Sequence, residues 1–273
     1  MELRNANCIV TGASRGIGAF LCRSLASRGA NLALAARSAE ELEKVAEGVR
    51  NLGVRAVVIP TDVSRRDDLV TLVEKAGADL GPIDVLINNA GVEKYGDFHQ
   101  ADPDLIEKVT RVNYIAPVTL ARLVLPQMIE RRRGHIVNIS SVAGKTAVPY
   151  NVIYSGSKHA LVGFSWSLRE EVKPFGVGVS VVCPGFVSEA GMFADWSQGR
   201  KPPGLANMVS PQKVADKTIE AIEKDKAEVI VAGGLMKIVD VFHALSPAFT
   251  TNIARRSGAY RFLSSAKDSS FRE

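Results

Sequence analysis

Tyr154 and Lys158 stand four residues apart, and Ser141 precedes the tyrosine by thirteen residues. On a helix an i, i+4 pair shares one face, so a phenol and an ammonium would meet there. Hydride transfer to a carbonyl leaves an alkoxide that needs a proton. A free tyrosine, with a pKa of ~10, holds that proton too tightly to act well at neutral pH. A neighbouring ammonium favours the phenolate and is expected to lower the Tyr154 pKa. Ser141, at the end of a strand-like run, can hydrogen-bond the substrate oxygen and polarise it; its spacing to Tyr154 favours it over Ser140. A Tyr-x-x-x-Lys match alone is common, so the reading depends on what surrounds it.

Upstream, the first strand-like run ends in Thr11-Gly12-Ala13-Ser14-Arg15-Gly16-Ile17-Gly18, and a helical pattern follows. Glycines at such a junction let the backbone approach a pyrophosphate at a helix N-terminus. The second strand ends in Ala36-Arg37, where a site for NAD usually carries a carboxylate for the ribose hydroxyls. Arg37 and Arg15 instead supply two guanidiniums suited to a 2′-phosphate. NADP(H) is therefore the expected cofactor, with NAD(H) open as a second.

The elements that must position these groups alternate. Strand-like runs cover 6–11, 31–36, 55–59, 84–88, 135–139, 177–183 and 228–232, and helical patterns cover 17–28, 39–51, 65–78, 104–131, 153–173 and 211–224. Several strands are apolar at successive positions, as parallel strands covered on both faces must be. The pattern predicts an α/β fold. It is one Rossmann-type, doubly wound parallel sheet of about seven strands with helices on both faces, a single domain over 1–273.

With these motifs in order, the chain resembles the classical short-chain dehydrogenase/reductase family from about residue 6 to 232. The motifs that carry the resemblance are 11–18, Asp62 after the third strand, Asn88-Asn89-Ala90-Gly91, Ser141 with Tyr154 and Lys158, and Pro184-Gly185. The resemblance implies that Asp62 bonds the adenine and that 88–91 stabilises the sheet beside the cofactor. It implies that Tyr154 is the general acid/base, that Lys158 also grips the nicotinamide ribose, and that Ser141 orients the carbonyl. Asn113 would hold a water that relays protons from Lys158. The expected cofactor contacts are Gly12, Ser14, Arg15, Gly16, Ile17, Gly18, Arg37, Asp62, Val63, Asn89, Ala90, Gly91, Tyr154, Lys158, Pro184, Gly185 and Val187. One departure stands out: Glu189 occupies the position where the family commonly has a threonine for the nicotinamide carboxamide, and Ser188 or backbone groups would have to substitute.

The segment 187–209, with Met192, Phe193, Trp196, Leu205 and Met208, is the expected substrate lid. Its apolar character, with Val148, Pro149 and Tyr150 nearby, suits a bulky lipophilic ketone, aldehyde or secondary alcohol of steroid, retinoid or fatty-chain type. A 3-oxoacyl-thioester reductase is the alternative enzyme, favoured if Arg200 and Lys201 lie at the pocket mouth. A dinucleotide-sensing scaffold without chemistry is the alternative outside enzymes. An extension over 233–273 carries Leu235, Ile238, Val239, Phe242 and Leu245 on one helical face, then a basic, aromatic stretch. It is expected to pack between subunits or over an active site, ahead of peripheral membrane contact.

The net charge of +5 and pI near 9.1, with aromatics at only 6%, argue against nucleic acid. The Arg131-Arg132-Arg133 cluster reads as solvated surface. Cys8, Cys22 and Cys183 form no paired spacing, and His99, His135, His159 and His243 no metal pattern, so free thiols and no metal are expected. With a strand pattern starting almost at Met1 and no apolar run of ~20 residues, a cytoplasmic protein is expected. A homodimer or homotetramer through the 104–131 and 153–173 helices completes the reading.

Overall fold

The computed structural model describes residues 1–189, 191–197, 200, 202, 207–233 and 242–267. Seven parallel strands form one sheet in the order β3-β2-β1-β4-β5-β6-β7. They are β1 (Asn7–Thr11), β2 (Asn31–Ala36), β3 (Ala56–Pro60), β4 (Val85–Asn88), β5 (Gly134–Ile139), β6 (Val177–Pro184) and β7 (Glu228–Val231). The order reverses between β1 and β4, and such a switch point opens a crevice at the carboxyl ends of the strands.

Alternate residues of a strand face opposite sides of a sheet, and here both sides are apolar. Cys8, Val10, Leu32, Leu34, Val85 and Ile87 join one core with α1 (Gly16–Ala26), α2 (Ala39–Arg50) and α8 (Pro211–Glu223). Ile9, Ala33, Ala35, Leu86 and Ile136 join the other, with α3 (Arg66–Leu80), α5 (Ala116–Glu130) and α6 (Val152–Val172). Ser38 starts α2 by accepting the Glu41 backbone N–H at 3.3 Å, a side-chain cap on an otherwise unpaired donor.

The structure departs from the sequence expectations in three places. The expected helix over 104–131 is divided: α4 (Pro103–Thr110) and α5 are joined by a π-helical turn at Arg111–Ile115. The whole stretch, Pro103–Glu130, is long and apolar enough to pass for a membrane span, which the sequence reading did not recognise. In this fold Leu120, Val124 and Met128 of that stretch lie in the core below the sheet. The arginine cluster is more than solvated surface. Arg131 and Arg133 both hold Asp84, at 2.8 and 3.1 Å, and Arg132 donates to the Pro174 carbonyl.

Among the described residues the tail is helical over 242–245 and then forms α9 (Pro247–Arg256) and α10 (Ala259–Ser264), separated by Gly258 at φ +81°. The proposed helical face at Leu235, Ile238 and Val239 lies outside the described residues, as do Lys201 and Leu205. Phe242 and Leu245 are exposed.

Candidate active site

The turn after β1 is possible only because of its glycines. Gly12 and Gly16 adopt φ of +65° and +57°. A Cβ on Gly12 would sit 2.9 Å from the Ala90 Cα, and one on Gly18 only 2.0 Å from the Gly12 carbonyl oxygen. The end of β4 is bound to this turn: Asn89 donates through Nδ2 to the carbonyls of Thr11 and Gly12 at 3.0 and 3.1 Å. Thr11 Oγ1 in turn accepts the backbone N–H groups of Asn89 and Ala90.

A cavity of 1360 Å³ opens over the strand ends. From the turn it is lined by Gly12, Ser14, Arg15, Gly16 and Ile17, and from the ends of β2 and β3 by Arg37, Asp62 and Val63. Asn89, Ala90 and Gly91 line it after β4, and Pro184, Gly185 and Val187 after β6. Ser141, Tyr154 and Lys158 face the same space. Gly18 and Asn113 are not among the lining residues and act from behind it.

The charges at one end suit an anion. Burial raises the Asp62 carboxyl, but two bonds from Ser64 and the charges of Arg37 and Arg65 outweigh it and hold Asp62 below its ordinary value. Arg15 pairs with Asp195 of the lid at 3.3 Å. Both side chains are substantially exposed, so the pair is worth under about 1 kcal/mol and yields readily to a better anion.

At the other end Ser141 caps a short 3₁₀ turn, accepting the Ala143 N–H at 3.1 Å. Its hydroxyl donates to the Pro184 carbonyl at 3.5 Å, and its presence beside Tyr154 draws the phenol pKa downward. Tyr154 lies in the first turn of α6, with Lys158 one turn on. Lys158 Nζ is 5.6 Å from the centre of the Tyr154 ring and donates to the Ile139 carbonyl at 2.9 Å. Burial lowers Lys158 to about 8, opposed by the charges of Cys183 and Glu93.

The expected lowering of Tyr154 does not hold for the protein's own groups. Burial first, then the negative charge of Glu93, drives the phenol well above its ordinary value, and Ser141 offsets only part of that rise. The residue that sequence reasoning missed is therefore Glu93. It lines the cavity and accepts from Asn151 Nδ2 at 3.0 Å. Burial raises its carboxyl to about 7. A lone glutamate in a loop carries no periodic or spacing cue, and only the packing of Tyr95, Asn151 and Trp196 around it turns it into a pocket group.

Asn113 lies in the π-helical turn, fully buried. Its Oδ1 accepts the Val92 N–H at 2.8 Å, and its Nδ2 donates to the Val92 carbonyl and to Ser157 Oγ. These bonds fix the loop that carries Gly91 and Glu93. Ser188, the considered substitute for the family's threonine, turns its hydroxyl to the Val209 carbonyl at 3.3 Å, and neither it nor Glu189 lines the cavity.

The lid segment includes α7 (Met192–Ser197), and Val187 and Val209 bridge its two ends. Phe193 and Trp196 pack with Phe186, Tyr260, Phe262 and Leu263 into an aromatic cluster. Tyr260 and Leu263 also line the cavity, so the tail covers the active site of its own chain. Arg200 bonds the Ser197 carbonyl and Ser265 Oγ and joins lid to tail, away from the cavity lining.

Comparison with known proteins agrees with this architecture. The short chain dehydrogenase family model matches residues 6–201. Ketoacyl reductase HetN of Nostoc sp. is 38% identical over 265 residues, covering 95% of this chain and 92% of that one. A metagenomic short-chain oxidoreductase solved with NADP superposes with a TM-score of 0.72 at 34% identity, over 85% of this chain and 98% of that one. A variant of actinorhodin polyketide ketoreductase solved with NADPH gives 0.77 at 31% identity, over 84% and 96%. Fold, site and sequence together make this chain a member of the short-chain dehydrogenase family of oxidoreductases.

Proposed function

We propose that the chain is an NADP(H)-dependent carbonyl reductase acting on a largely apolar substrate. The observation that carries the reading is that one cavity holds the glycine cradle with Arg15 and Arg37 at one end and Ser141, Tyr154 and Lys158 at the other. NADP(H), when bound, supplies or accepts the hydride. The cradle fits it because Gly12 and Gly18 leave backbone where side chains would stand. The two relatives solved with NADP and NADPH support that cofactor, and NAD(H) is the second choice.

Within the pocket Ser141 would hold the substrate oxygen beside the Tyr154 hydroxyl. A buried phenol whose pKa is raised keeps its proton until an alkoxide forms, which suits reduction over oxidation. Lys158, lowered to about 8 by burial, would replenish the proton. The aromatic lid supports a lipophilic substrate. The ketoacyl reductase name of the Nostoc relative favours a 3-oxoacyl thioester as the second reading. The reading extends to a homodimer or homotetramer, supported by exposed Ile115 and Trp166 on the π-turn and α6, and to a cytoplasmic location.

The test is NADPH and NADH oxidation against apolar ketones, aldehydes and 3-oxoacyl thioesters. Turnover with NADPH that falls at least about 100-fold in Tyr154→Phe, with NADPH binding intact, is the expected result. Equal rates in wild type and variant would overturn the assignment of Tyr154.

A further inference from the structure

The proposed mechanism leaves Glu93 without a task, although its charge acts on both Tyr154 and Lys158. The polar groups around it are incompletely paired. Asn151 gives one N–H to Glu93 and its side chain also acts on the Tyr95 hydroxyl, yet its buried Oδ1 has no partner in hydrogen-bonding geometry. The Trp196 indole N–H faces the same carboxyl outside hydrogen-bonding geometry and is also buried without a partner. All three residues line the cavity. They come from the loop after β4, the start of α6 and the lid helix α7, against the ring of Tyr95, whose centre is 5.1 Å from that of Trp196.

A buried polar atom without a partner costs about 1–3 kcal/mol, and a native structure seldom keeps two on one wall without use. Here an acceptor, a donor and a carboxyl share a wall of a pocket whose remaining cover is aromatic. Burial brings Glu93 to about 7, opposed by the Asn151 bond, the Lys158 charge and the indole, and reinforced by Asp195. The carboxyl is thus only partly ionised at neutral pH and accepts from an uncharged donor.

Resting on the reductase reading above, we propose that Glu93, Asn151 and Trp196 form a recognition wall. It selects carbonyl substrates that carry a second, neutral hydrogen-bonding group near the reacting carbon, either a hydroxyl or an amide N–H. The substrate is then amphipathic: an apolar body under the lid and a polar handle against the wall. A hydroxyketone and the amide-bearing arm of a 3-oxoacyl thioester both present that chemistry.

Matched pairs distinguish these sources. One pair is 2-hydroxyacetophenone and acetophenone; the other is 3-oxobutanoyl N-acetylcysteamine thioester and its butyl thioester, which lacks the amide. Wild-type enzyme should prefer the donor-bearing member of at least one pair by about tenfold or more in kcat/KM, because a site built to bond a donor rejects the analogue lacking it. The pair that shows the preference names the source. Glu93→Leu should bring the ratio near one through KM of the donor-bearing member, while Glu93→Gln keeps most of it. Trp196→Phe removes the indole N–H together with one ring of the side chain; the lost ring weakens both members of a pair, whereas the lost N–H should reduce the ratio even if Glu93→Leu fails to fold. Turnover of both members with equal efficiency in wild type, or a ratio unchanged in folded Glu93→Leu and Trp196→Phe, overturns the wall and leaves the reductase reading standing. No turnover of any carbonyl by an enzyme that binds NADPH overturns both.

Discussion

Arg37 and Glu93 set the two ends of the cavity apart. Arg37 follows a strand end where a carboxylate would repel a 2′-phosphate, and its charge already reaches Asp62. A charge-assisted bond of this kind is worth about 1.5–3 kcal/mol. Arg37→Ala should therefore raise KM for NADPH about 10–100-fold and leave KM for NADH nearly unchanged, measured by initial rates on one ketone. Equal losses with both cofactors would assign Arg37 to the fold instead. Arg37, Tyr154 and Lys158 could be found in the sequence because each is fixed by its neighbours along the chain, at a strand end or one helical turn apart. Glu93 could not, since its environment comes from three segments distant in sequence. The same distinction explains the error over Tyr154: the helical spacing shows the lysine, but only the packed pocket shows the burial and the carboxylate that outweigh it.

The strands and helices were readable because parallel strands covered on both faces are apolar at consecutive positions, which a sequence displays directly. The π-helical turn was not. Arg111–Ile115 holds ordinary helix-compatible residues, and the extra residue in the turn is set by the bonds of Asn113 to Val92 and Ser157. The glycine turn is the opposite case, specified locally and intolerant of change. Gly18→Ala would put a methyl group 2.0 Å from the Gly12 carbonyl oxygen, so the backbone must move. Overpacking of this kind costs about 1–3 kcal/mol or more. The variant should lose several degrees in Tm, on the order of 2–4 °C per kcal/mol, and bind NADPH at least about tenfold more weakly by titration. Unchanged NADPH affinity would mean that the turn relaxes without consequence.

Strand β5 carries a separate pH dependence. His135 Nε2 lies 2.8 Å from Ser180 Oγ, and that hydroxyl donates its proton to the Lys226 carbonyl, so the ring nitrogen must be the donor. Burial lowers His135 to about 4, with the nearby Asp225 opposing. The unfolded chain takes up this proton at a pKa of ~6.5. The contribution to stability is therefore complete above about 6.5 and is lost as pH falls towards 4. Urea midpoints should fall between pH 7 and 5 in wild type, and less steeply in His135→Gln. Parallel slopes in the two proteins would remove His135 from the account.

Among the described residues, two sheet-facing cores adjoin an aromatic cluster that shares no residue with either. The tail is anchored to that cluster by Leu263 and Phe262 and clasped to the body by Lys267, which meets Asp97 at 2.6 Å and lies 4.1 Å over the Tyr150 ring. Sequence reading left the tail between a subunit interface and a cover over an active site and showed no helix over 247–264, where apolar and polar residues are evenly mixed and the segment is fixed by packing against α7. A chain truncated after Gly258 keeps both cores and the cofactor cradle. Its Tm should change little, NADPH should bind normally, and KM for bulky apolar ketones should rise about tenfold from the lost apolar contact. A truncation with unaltered KM would show that α10 is not the cover.

Residues 242–267 are also made after every other part of the cavity. During synthesis the cradle and the proton-handling groups can assemble on the growing chain, since domains condense as they emerge from the ribosome. The roof arrives last. A polypeptide that ends before Ala259 would bind NADPH yet leave its pocket open to water, and it would reduce bulky ketones only at higher concentrations of them.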